Sequence, residues 1–352
     1  MAGRKKARTQ LADVLPEQSF SLISNSKLLD LYVTMRRARL LAMRAEAQLG
    51  RCFASALGLE AATVAVAIDL LGEDAVVASP FDLLPGFVKG LTVKQILELA
   101  SQLRTGKDGP TIQWSNASRN VLFLSSSLAE RLHIAVGMAL ADKVKSNARI
   151  VTIFTGPESA SSEIWADTLT FAGRHELPIL FICQNTLLAA PSPQEKISEL
   201  AKILGTPGIA VDGMDAVAVY RVACESISRA RLGRGPTVID CQRFCIEDQP
   251  AALRGKGVSK SAAEDASVFQ LEMEDPIANM KNYLERKALW KQDFDEQLLA
   301  EFEKELESVT EFRQAASMEE KDSELTKVET SKGEPVNLPG LISPTFSSVP
   351  GS

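Results

Sequence analysis

The sequence predicts an α/β fold: a parallel sheet flanked by helices, with extra helices at the amino and carboxyl ends. Two observations carry this expectation. Between residues 149 and 241, four short apolar runs, RIVTIF, PILFIC, GIAVDG and PTVIDC, alternate with stretches of helical periodicity. Those runs are apolar throughout, so both faces of each strand must be covered, which means parallel strands joined by right-handed helical crossovers.

Each element has its own signal. Residues 27–49 (KLLDLYVTMRRARLLAMRAEAQL) repeat apolar positions at helical spacing among strong helix formers, and Gly50 stops that helix. A second helix follows Gly58, in GLEAATVAVAIDLL. The run Ala75–Ala78 reads as a strand broken by Ser79-Pro80, and 91–103 as a further helix. Then come helix 125–145, strand 149–154, helix 159–173, strand 178–183, helix 195–204, strand 208–213, helix 215–232 and strand 236–241. In such sheets ligands gather beyond the carboxyl ends of the strands, which points to the loops after Phe154, Cys183 and Cys241.

From Asp275-Pro276-Ile277 a charged helical segment runs to about residue 313, with Phe294, Leu298, Phe302, Leu306 and Val309 at three- and four-residue steps. That stripe needs a cover, either the same domain or another subunit, and the spacing alone does not choose. The domain map expected is a flexible tail at 1–26, one domain at 27–313 and a polar, proline-bearing disordered tail at 314–352.

Composition excludes some classes of function. The 352 residues are 45% hydrophobic with no apolar run of bilayer length, so a soluble protein with a full core is expected. A net charge of -6 gives no general attraction to nucleic acid or anionic membrane. Arg4, Lys5, Lys6 and Arg8 form a local basic tip, read as a flexible tail: no apolar stretch follows to make a secretory signal, and Ala2-Gly3 does not fit a myristoylation start. A cytoplasmic location follows. The five cysteines are scattered without histidines at zinc spacing, so reduced thiols are expected, with Cys183 packed in a buried strand.

Six blocks in order resemble one family: Gly58-Leu59-Glu60-Ala61, the small-residue helix around Gly137, Asp167 to Pro178 leading into FICQN, Ala210 to Tyr220 (AVDGMDAVAVY), Gly235 to Asp240 (GPTVID) and Asp275-Pro276-Ile277. Together they are similar to the alpha subunit of the thiamine-diphosphate-dependent, decarboxylating first component of pyruvate, branched-chain 2-oxoacid and acetoin dehydrogenases, over residues from about 27 to 313. The resemblance implies the thiamine-diphosphate-binding fold, thiamine diphosphate and magnesium as cofactors, and a beta-type partner subunit or self-association.

The departures from the family fall on its chemistry. The family binds magnesium through G-D-G after one strand and N-N after the next, where this chain has Gly156-Pro157-Glu158 and Asn185-Thr186. Magnesium demands oxygen ligands in near-octahedral array, and a proline side chain offers none, while its ring nitrogen lacks an amide donor. The Y-R that contacts diphosphate aligns with Pro80-Phe81, and a histidine just beyond falls on Leu83. In the loop after the last strand, Tyr-Arg-Tyr and a histidine become Phe244-Cys245-Ile246 and Glu247-Asp248-Gln249. Gly156, Glu158 and Asn185 remain as positional remnants of a cofactor site; no residue is assigned to catalysis or to a metal. Glu158 near a helix start fits the helix dipole as well as a ligand's role.

His133 on the small-residue helix is expected to pack, and His175 to close a helix before Leu177-Pro178. Two functions remain open. One is a thiamine-dependent oxidoreductase subunit with weak or no activity of its own; the other is a non-catalytic structural or regulatory subunit pairing with a beta-like partner. A third class, a binding module with an apolar pocket formed by Pro80, Phe81, Leu83 and Leu84, stands behind them.

Overall fold

A computed structural model describes residues 23–49, 58–103, 114–124, 127–156, 163–188, 197–245 and 275–324. In chain order its elements are α1 (Asn25–Leu49), α2 (Glu60–Ala67), β1 (Ala75–Ala78), α3 (Leu84–Val88), α4 (Val93–Leu103), β2 (Trp114–Asn116), β3 (Val121–Phe123), α5 (Leu128–Val144) and β4 (Val151–Thr155). There follow α6 (Glu163–Arg174), β5 (Ile179–Leu188), α7 (Ile197–Ile203), β6 (Gly208–Asp212), α8 (Ala216–Arg231), β7 (Thr237–Cys245), α9 (Pro276–Arg286) and α10 (Gln292–Glu324).

The seven strands form one sheet in the order β2-β3-β1-β4-β5-β7-β6. All neighbours are parallel except β2 and β3, an antiparallel pair at one edge. Helices α5, α6 and α7 cover one face, burying Leu132, Trp165, Leu169 and Ile197 against Val151, Ile153, Phe181 and Val238. Trp165 meets Phe181 edge-on with ring centroids 5.2 Å apart. Helices α2 and α8 lie on the other face, and α1 and α9 pack in turn on α2. Cys183 is fully buried in its strand, as expected.

Local chemistry sets the helix starts. Ser127 caps α5 by accepting from Glu130 N, and Asp215 caps α8 by accepting from Val217 N and Ala218 N. Asp275 accepts from Ile277 N with Pro276 in the first turn, where its missing N–H costs nothing.

The structure departs from the expectation in several places. The hairpin β2–β3 carries no signal in the sequence, because each strand has only three residues, too few to show a period. Strand β6 is not apolar on both faces: it lies at the sheet edge, with Ala210 and Asp212 exposed. Strands β5 and β7 continue past Cys183 and Cys241 and stay paired from Leu180 and Thr237 out to Leu188 and Cys245, since each satisfies the other's ladder groups. The carboxyl-terminal segment is two helices, with a turn at Ala288 (φ 56°) between α9 and α10. Helix α10 runs on to Glu324.

The stripe on α10 is covered within the chain at Phe302 and Leu306, both 2% exposed, whereas Phe294 stays 37% exposed. Phe302 and Phe87 lie 6.1 Å apart between ring centroids, and the Arg37 guanidinium stacks over Phe302 at 4.5 Å. His133 is exposed and not packed: α5 buries Leu132, Ala135, Val136 and Ala139, and His133 falls on the opposite side. His175 closes α6, its N–H bonded to Phe171 O, as expected.

Candidate functional site at the carboxyl edge of the sheet

Three strand ends converge on this edge. Strand β4 ends at Thr155, which is level with Cys183 of β5 and, across β5, with Asp240 of β7. Gly156 is the next residue after β4, and Asn185 is two residues beyond Cys183, paired in register with Gln242. The fold thus brings Gly156 and Asn185 to the same sheet edge, as the sequence implied. Asn185 belongs to strand β5 and not to a loop after Cys183, because β5 and β7 extend together. Glu158, like Pro157 and Glu247 to Gln249, lies outside the described residues.

The polar groups just beneath this edge are spent on one another. Thr155 Oγ1 donates to Ile182 O at 3.2 Å and lies 3.6 Å from Cys183 Sγ. Gln184 Nε2 donates to Thr63 Oγ1 of α2 at 2.7 Å, and both side chains are buried. Asp240, with no exposed surface, accepts from Ser198 Oγ at 3.2 Å and from Gln242 Nε2 at 3.1 Å. Burial pushes the Cys241 thiol well above its ordinary range, the opposite of what a nucleophile needs.

Ser198 reaches Asp240 because α7 lies unusually close to β6. A Cβ at Gly208 would fall 2.0 Å from Ser198 O, so only glycine permits that approach.

The start of α2 is fixed by charge. Glu60 is fully buried; its Oε1 accepts from Arg39 Nε and its Oε2 from Gly58 N, each at 2.8 Å. Arg39 Nη1 also donates to Asp275 Oδ2 at 2.7 Å, tying α1, α2 and α9 together. Burial opposes the Arg39 charge, but the bonds to Glu60 and Asp275 outweigh it and hold the guanidinium above its usual range.

Beyond β1 the chain turns at once into the core. Ser79 Oγ accepts from Phe81 N at 3.3 Å, and Ser79 O from Asp82 N at 2.9 Å. Leu83 and Leu84 are each 1% exposed. Of the apolar group Pro80, Phe81, Leu83 and Leu84, the two leucines are core residues at the start of α3. Among the described residues, no group of three or more His, Cys, Asp or Glu side chains is arranged to hold a metal ion. No helix among them is long and apolar enough to cross a membrane.

The Dehydrogenase E1 component family matches this chain over residues 28–322. The chain belongs to that family. It is of the alpha type: the pyruvate dehydrogenase E1 component subunit alpha of Bacillus cereus is 27% identical over 305 residues, covering 84% of this chain and 80% of that protein. The subunits alpha of Staphylococcus aureus and Staphylococcus epidermidis are each 30% identical, over 171 and 178 residues. These matches cover 47% and 49% of this chain, which spans about half the length of the two staphylococcal relatives, 45% and 47%.

For an E1 alpha-type chain, the residues that sequence reasoning missed are the supports: Thr63 under Gln184, and Ser198 under Asp240. The available signal was a polar residue, Gln184 or Asp240, at the end of an otherwise apolar strand. A buried polar group must have a partner. Naming that partner needed the fold.

Proposed function

We propose that this E1 alpha-type chain serves in a 2-oxoacid or acetoin dehydrogenase first component beside a beta-type subunit, in the cytoplasm, with weak or no catalytic activity of its own. In the thiamine-diphosphate-dependent E1 family the cofactor performs the carbanion chemistry and the protein must hold it. The observation that carries the reading is Leu83. It stands where the family resemblance places a histidine, and it is 1% exposed, an apolar side chain that can neither carry a proton nor bond an anion. The donor chemistry points the same way: the Pro157 side chain supplies no oxygen for magnesium, and Phe81 no charge for a diphosphate. The residues present do not fit the magnesium-diphosphate group.

Each lost charged contact to a bound anion costs about 1.5 to 3 kcal/mol, so two losses imply roughly a hundredfold or more in affinity. Titration calorimetry of the isolated chain with thiamine diphosphate and magnesium tests this. No micromolar binding is expected; micromolar, magnesium-dependent binding would show that Glu158 or another residue has taken over the clamp.

The second reading is a purely structural or regulatory subunit. The family's alpha subunits pair with beta subunits, and this chain keeps its core packing while the site residues differ, which the independence of fold and site allows. Purification with the endogenous partner and assay of the complex separates the two readings. 2-Oxoacid decarboxylation lost on removing this chain favours the first, and activity supplied wholly by another alpha subunit favours the second.

A further inference from the structure

We draw no further inference here: the strongest candidate, the groove of about 540 Å³ between the β6–α8 turn and α9, has carboxylates at Asp212 and Asp215 that already accept main-chain N–H groups of Met214, Val217 and Ala218, and nothing in the structure shows what covers it.

Discussion

Arg39 and Glu60 form the ion pair on which α2 is set: their closest atoms are 2.8 Å apart, and Glu60 has no contact with solvent. Helix α2 carries Thr63 and so reaches the sheet edge through Gln184. The charged pair therefore lies upstream of the candidate site without being part of it.

Removing Arg39 alone leaves a buried, uncompensated carboxylate. Arg39→Met is expected to lower unfolding free energy by about 3 to 5 kcal/mol, read from the urea midpoint at constant slope. Combining it with Glu60→Met should recover a large part of the loss, because two apolar groups replace a desolvated pair. A single variant as stable as the parent chain would show that the Arg39–Glu60 pair adds nothing net to stability.

Thr63 and Gln184 can be separated in the same way. Thr63→Val keeps the shape but strands the Gln184 amide, at a cost of about 1 to 3 kcal/mol. Thr63→Ser keeps the acceptor and should lose less than Thr63→Val. A loss in Thr63→Ser with none in Thr63→Val would show that the methyl group and not the hydrogen bond matters at this position.

Two glycines should respond with opposite sign. Gly208→Ala forces a Cβ onto Ser198 O and is expected to destabilise by about 3 kcal/mol or more, or to abolish folding. Gly137, inside α5, has nothing within 4 Å of a Cβ position, so Gly137→Ala should stabilise the isolated chain by about 0.5 to 1 kcal/mol. Thermal denaturation of both variants reads out the contrast.

Alkaline pH should weaken the fold through its buried phenols. Burial raises Tyr32 from about 10 to about 12; the Trp290 N–H donated to its oxygen opposes this, and the bond Tyr32 donates to Asp295 adds to it. Burial and the bond to Asp69 push Tyr220 upward as well. A phenol that keeps its proton more tightly when folded contributes stability fully present below pH 10 and lost as pH rises through the folded value. The Tyr32 share is about 1 to 3 kcal/mol. Denaturant midpoints measured between pH 9 and 12 should fall, and Tyr32→Phe should reduce the slope; an unchanged slope would assign the alkaline loss elsewhere.

The fold class was legible because it rests on local, repeated signals. The apolar runs of β4, β5 and β7 and the periodicity of α5 and α8 state their own secondary structure, and all-apolar strands imply covered faces without reference to any partner. The motif blocks placed Gly156 and Asn185 on one edge for the same reason: each falls toward the carboxyl end of a strand whose direction is fixed by a parallel sheet. That Pro157, Phe81 and Leu83 stand where the resemblance implies other residues was likewise readable, because it concerns residue type alone.

Tertiary structure decided everything that depends on what lies across from a residue. Spacing left the α10 stripe open between two covers, and only the packing of Phe302 on Phe87 and of Arg37 over its ring assigned it to the same chain. Strands β5 and β7 outran their apolar runs because each supplies the other's backbone partners, a condition invisible in either segment by itself. Leu83 could have lined a pocket or filled a core, and its burial settled that it fills the core. The sequence determined which groups the chain carries and how they repeat. The fold determined which of them meet, because contact energies act between residues that the sequence keeps far apart.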